Sequence, residues 1–141
     1  MPPPGQHSDG AASQSPPQPT AKVHLATPSG EIAVSVEIVS TPAKIQRGLM
    51  YRRHLPTDTG MLFLMGKEYD WEFWMRNTLI PLDIIFIKKD MTVAGIAENA
   101  KPLDETLVSA GQPSLYVLEV SGGWTKEHGV TAGTRVRFDI P

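Results

Sequence analysis

The chain has 141 residues, a formal net charge of −2, 40% hydrophobic and 20% charged residues, and no cysteine. That length holds one domain around one core, and that balance suits a folded protein. Disulfides, thiol nucleophiles and Cys-ligated zinc are excluded, and without a dense Lys/Arg cluster no nucleic-acid partner is expected.

Residues 1–21 run from Met1-Pro2-Pro3-Pro4-Gly5 through Ser15-Pro16-Pro17-Gln18-Pro19 and offer almost nothing to bury. Their ordering entropy cannot be repaid, so a disordered Pro/Ser/Gln-rich tail or tether is expected, followed by one domain over residues 22–141. The segment reads as an unstructured terminus, as a tether whose signal or lipid anchor was removed, or as a Pro-rich ligand for an adaptor domain. It lacks the cationic start and apolar run of a signal peptide. No run of about 18 apolar residues predicts a transmembrane segment.

Residues 22–27 alternate weakly and Pro28-Ser29-Gly30 marks a turn. Ile32, Val34, Val36 and Ile38 then hold strict period two against Glu31, Ser35 and Glu37, which predicts an antiparallel hairpin. At Thr41-Pro42 the period changes. Thr41 suits a cap and Pro42 the first helical position, so a short helix over residues 42–50 is expected. Residues 52–60 read as a loop, 61–65 as an inner strand and 66–70 as a turn. Further strands are predicted over 72–76, 83–88, 91–97, 114–120 and 134–140, with a long loop over 99–112. One or two helical turns over 121–128 should end at Gly129 in a positive-φ conformation, with Val130 in apolar contact. Seven or eight short strands and two small helices define a mainly β fold, a sandwich or barrel.

The chain is organised around Phe73-Trp74-Met75-Arg76-Asn77-Thr78, followed by Pro81-Leu82-Asp83-Ile84-Ile85-Phe86. With Arg47-Gly48-Leu49-Met50, Gly60-Met61-Leu62-Phe63 and Tyr116-Val117-Leu118-Glu119-Val120, and with Gly123 and Gly129, these motifs resemble the DUF192 family, a bacterial and archaeal domain of unknown function. The resemblance covers about residues 23–140. It implies a β-sandwich of jelly-roll-like form. It also implies that many relatives are exported or lipid-anchored, so a periplasmic or envelope-tethered location is expected, with a cytoplasmic one still open. No established activity comes with it, and function has to be argued from the site.

Trp74, Arg76, Asn77, Thr78, Asp83, Arg47, Met50 and Glu119 are the candidate ligand-binding residues. On an ideal strand Trp74 and Arg76 share one face, which mixes a large aromatic with a charge as a pocket wall or rim does. The plain alternative is that Trp74 is core. Asp83 and Glu119 interrupt apolar strands, and buried carboxylates need partners. Arg76 is one expected partner and Arg47 a second; backbone amides in a tight corner are the structural alternative. The functional alternative is a carboxylate pair flanking a substrate, as in glycoside hydrolysis. Met50, Met61, Met65 and Met75 read as core fillers or as an adaptable pocket wall.

Scattered histidines predict no metal site, with His54 beside Asp58 the only local pair. Gly122-Gly123 reads as a close-packing turn or a weak anion site. No cofactor motif and no nucleophile motif occurs. The leading expectation is a binding module of the cell envelope for a small molecule, glycan or peptide. A hydrolase of envelope polymers, with Asp83 or Glu119 as acid or base, and an assembly protein with a purely structural motif stand as alternatives. The absence of a catalytic constellation leans the reading away from an enzyme.

Overall fold

The computed structural model describes residues 20–140. All of the expected tail except its last two residues lies outside this range; Thr20 and Ala21 open the first strand. β1 (Thr20–Thr27) and β2 (Gly30–Val39) pair as the predicted antiparallel hairpin. α1 (Pro42–Arg47) follows, then β3 (Thr59–Tyr69), β4 (Leu82–Ile87), β5 (Val93–Ala100), β6 (Ser114–Ser121), α2 (Trp124–His128) and β7 (Val136–Arg137). The strands form one sheet in the order β5-β4-β6-β3-β2-β1-β7. β2 and β3 run parallel, and a parallel pair needs a crossover. Residues 40–58, including α1, supply it.

The sheet curls toward its own far edge. Val93 N–H donates to the Thr134 carbonyl (2.9 Å), Gly133 N–H to that of Val93 (2.8 Å) and Val136 N–H to that of Met91 (2.8 Å). The start of β5 thus meets the segment leading into β7. The result is a half-barrel built from one curled sheet, so the mainly β expectation holds while the two facing sheets of a sandwich are not seen.

Alternation sorts the side chains onto two faces. One core takes residues from all seven strands, with Val23, Val34, Leu62, Ile85, Val93, Leu118 and Val136 enclosed by the curl and Trp124 of α2 closing one end. The other takes Met61, Phe63, Leu82, Ile84, Phe86 and Val117 under α1 and residues 73–75. β4 is buried along its whole length because both faces are covered.

The helix signals hold and its end does not. Thr41 Oγ1 accepts the Lys44 N–H at 3.3 Å with Pro42 in the first turn. α1 stops at Arg47, three residues early, and the chain reaches Tyr51 at φ 66°. That turn lets Tyr51 N–H donate to the Asn77 carbonyl at 2.9 Å. α2 ends as expected, with Gly129 at φ 73° and Val130 buried. Two expected strands shrink. Residues 72–76 keep a single bridge, Phe73 to Val108, and residues 134–140 keep only β7 and a bridge from Arg135 to Thr92. β3 instead runs on through the expected turn at 66–70, with its register shifting between Leu64 and Tyr69.

Candidate functional site

Residues 73–78 are suspended between two loops. Phe73 and Val108 exchange backbone hydrogen bonds, both 2.9 Å, and Met75 N–H donates to the Asp104 carbonyl at 2.8 Å. Leu103 N–H donates to the Thr78 carbonyl at 3.0 Å, and on the other side lies the bond from Tyr51 to Asn77. Phe73 and Met75 are buried, with Phe73 edge-on to Phe63 and Phe86 at 5.4 and 5.8 Å between centroids. Trp74 is half-buried against the same core, and Arg76 is exposed. The Arg76 guanidinium lies 5.5 Å from the Trp74 ring centroid, within cation–π range.

Asn77 adopts φ 55°, a left-handed turn that asparagine tolerates better than most residues. Thr78 is buried, and its hydroxyl donates to the Arg76 carbonyl at 3.2 Å. The Asp104 carboxylate accepts the Thr106 N–H at 2.9 Å, and this backbone bond, ahead of other causes, holds the carboxyl below its usual range. Arg76 is exposed and makes no ion pair among the described residues. The Trp74 indole Nε1 is covered and finds no acceptor among them.

Asp83 lies elsewhere. It shares a face with Ile85 and Ile87, inside the curl, and is fully buried. Oδ1 accepts the N–H groups of Asn99 (2.7 Å) and Gly123 (3.0 Å), and Oδ2 accepts the N–H (2.8 Å) and hydroxyl (2.6 Å) of Thr125. Four donors fill a carboxylate's acceptor sites. The expected partnership with Arg76 is thus corrected: Asp83 ties the start of α2 to β4 and to residue 99. The backbone-amide alternative is what the fold adopts, and the anion at the Gly122-Gly123 turn is the protein's own Asp83.

Glu119 is also fully buried, but its cross-strand neighbours are Ile84 and Met61, on the α1 side of the sheet. Asp83 is opposite Val120 in the same ladder, so the two carboxylates face opposite sides. They do not form a pair around a substrate, because the sheet lies between them. Glu119, Arg47 and Thr78 are each engaged in an interaction. Arg47 is exposed at the end of α1, 5.4 Å from the Tyr51 ring centroid, and Met50 packs against the α1-side core together with Trp74. Seven of the eight candidates therefore share one side of the sheet, and Asp83 alone is displaced. Among the four methionines, Met61 and Met75 are buried core.

Sequence reasoning missed the surface around the corner. Of the six exposed large hydrophobic side chains among the described residues, four belong to it: Tyr51 (54% exposed), Leu79 (36%), Leu103 (58%) and Leu107 (44%). Leu103 and Leu107 sit in a polar loop where neither period nor spacing marked them. Two cavities lie away from the corner. One of about 260 Å³ sits between β2, β3 and Leu55-Pro56, walled by a two-pronged ion pair of Arg52 with Glu37. The other, about 240 Å³, separates β1 from Phe138 to Ile140. His54 is exposed, while Asp58 accepts the Trp124 Nε1–H at 2.9 Å with His128 Nε2 3.9 Å away. Among the described residues no three His, Asp or Glu side chains gather as a metal site, and no helix is long and apolar enough to cross a membrane.

A curled seven-stranded sheet with a tryptophan–arginine corner defines the class, and the chain belongs to the DUF192 family, described as an uncharacterized ACR, whose profile matches residues 24–138. Among solved structures it is similar to a candidate transcription regulator from Sinorhizobium meliloti 1021. That chain is 38% identical, with 88% of this chain and 97% of that one covered at a TM-score of 0.84. It is also similar to a protein of unknown function from Novosphingobium aromaticivorans DSM 12444, 37% identical, with 94% and 99% covered at a TM-score of 0.80. No curated protein matches the chain.

Proposed function

We propose that the protein is a binding module whose contact surface is the corner at residues 73–79 with the loops at 47–51 and 103–108. One observation carries this reading: among the described residues, four of the six exposed large hydrophobic side chains stand on the corner or on loops whose backbones bond to it, where an arginine lies over a tryptophan. Apolar surface left in water is costly to solubility, and where it is concentrated it marks contact sites. Tyr, Trp and Arg are the residues most enriched at such sites. The hydrolase alternative loses its carboxylate pair, because Asp83 and Glu119 face opposite sides of the sheet. The regulator description of the Sinorhizobium relative finds little support here, since the chain carries a net charge of −2.

The test is amide-shift mapping of isotope-labelled protein with a fragment set covering sugars, carboxylates, phosphates and aromatic amines. Shifts grouped on 47–51, 73–79 and 103–108 are expected. Shifts grouped instead on the β2–β3 cavity would move the site away from the corner.

A further inference from the structure

Resting on that reading, we infer that the corner takes an acidic polypeptide segment carrying aliphatic side chains, with a carboxylate seated on Arg76. The Arg76 guanidinium is held over Trp74 and has no carboxylate partner among the described residues. The guanidinium lies 5.5 Å from the ring centroid and makes no ion pair among the described residues, so its N–H donors remain for a planar two-oxygen acceptor. Asp104, whose carbonyl accepts the Met75 N–H, has its carboxylate turned onto the Thr106 amide. The Trp74 Nε1–H is a second donor in the same pair without an acceptor among the described residues. That Nε1–H is covered, so an entering carboxylate pairs with the exposed guanidinium.

The apolar requirement comes from Tyr51, Leu79, Leu103 and Leu107. They stand on three separate loops and are exposed by 36–58%. Side chains that stand so far out do not enclose a small ligand; they meet another surface. A sugar would leave the leucines uncovered, and an unstructured polar chain would leave them equally so. An acidic segment with interspersed aliphatic residues satisfies the cation and the leucines together, and electrostatic attraction raises its association rate.

The experiment titrates three synthetic peptides of equal length into the full chain and reads amide shifts. They alternate leucine with glutamate, glutamine or lysine. Vesicles containing an anionic phospholipid are run beside them. Leucine–glutamate is expected to bind at least about tenfold more tightly than leucine–glutamine, with shifts on 47–51, 73–79 and 103–108. Its advantage should shrink as salt rises and disappear in Arg76→Met, while leucine–glutamine is unaffected by that variant. Equal binding of the glutamate and glutamine peptides, binding of neither, or binding of the vesicles alone overturns the acidic-segment inference. If fragments still map to the corner, the binding reading survives that failure. If they do not, both fall.

Discussion

Asp83 and Glu119 stand on neighbouring strands, one step apart in the β4–β6 register, and present their carboxylates to opposite faces of the sheet. A side-chain period of two makes this unavoidable, because Asp83 is opposite Val120 while Glu119 is opposite Ile84. One acid is thereby committed to holding α2, and the other is buried on the side that carries the corner. The division separates scaffold from surface, and each half makes its own prediction.

Asp83 is scaffold. Replacing it with alanine removes the acceptor of the buried Thr125 amide and hydroxyl and of the part-buried amides of Asn99 and Gly123. Each unsatisfied buried group costs about 1–3 kcal/mol, and with the Thr125 amide and hydroxyl both buried Asp83→Ala should lose more than about 2 kcal/mol. Asp83→Asn keeps one acceptor oxygen and should fall between. Urea unfolding with an unchanged slope measures both. A loss below about 1 kcal/mol for the alanine variant would mean that water reaches those amides.

Arg76 is surface. It is exposed and touches only the Trp74 ring among the groups described for it, so Arg76→Met should change stability by less than about 1 kcal/mol. Had it neutralised a buried carboxylate, the same change would cost about 3–5 kcal/mol. The same urea experiment separates the two values.

How far the sequence spoke can be judged from these residues. Strict alternation exposed β2, and Thr41-Pro42 marked the start of α1, because both signals are local. The corner was located but misread as a strand. The amides of Phe73 and Met75 are taken by Val108 and Asp104, more than 25 residues away, and no local pattern encodes that. Asp83 was legible as a buried carboxylate in need of partners. Its donors come from residues 99, 123 and 125, so the choice of amides over Arg76 needed the fold. Leu103 and Leu107 gave no signal at all, since exposure is a tertiary property.

Gly60 tests the packing of the central ladder. A Cβ there would overlap the backbone carbonyl of Glu119 on β6. A strand backbone cannot swing aside as a side-chain tip does, so Gly60→Ala should force β3 and β6 apart. Overpacking of this kind costs about 1–3 kcal/mol. A thermal midpoint equal to the parent's would show that the ladder yields without loss.

Acid should loosen the 103–108 loop. The Asp104 carboxyl titrates below its ordinary value because the ionised form accepts the Thr106 N–H. A depressed carboxyl contributes its stabilisation fully above the unfolded value and loses it as pH falls through the folded one. The Thr106 amide should therefore be constant at neutral pH and shift only in acid, below the ordinary aspartate range. In Asp104→Asn that acid-range shift should vanish. A Thr106 shift that persists unchanged in the variant would assign it to another group.

The central claim is that the exposed leucines serve contact rather than folding. Leu103→Asp/Leu107→Asp places two charges on side chains that are 58% and 44% exposed in the parent. Surface changes of this kind are usually within about 0.5 kcal/mol, so the urea midpoint should hold. The fragment and peptide shifts over 47–51, 73–79 and 103–108 should meanwhile be lost. An unchanged shift map on a stably folded double variant would contradict the account, because the corner would then bind without the surface that defines it.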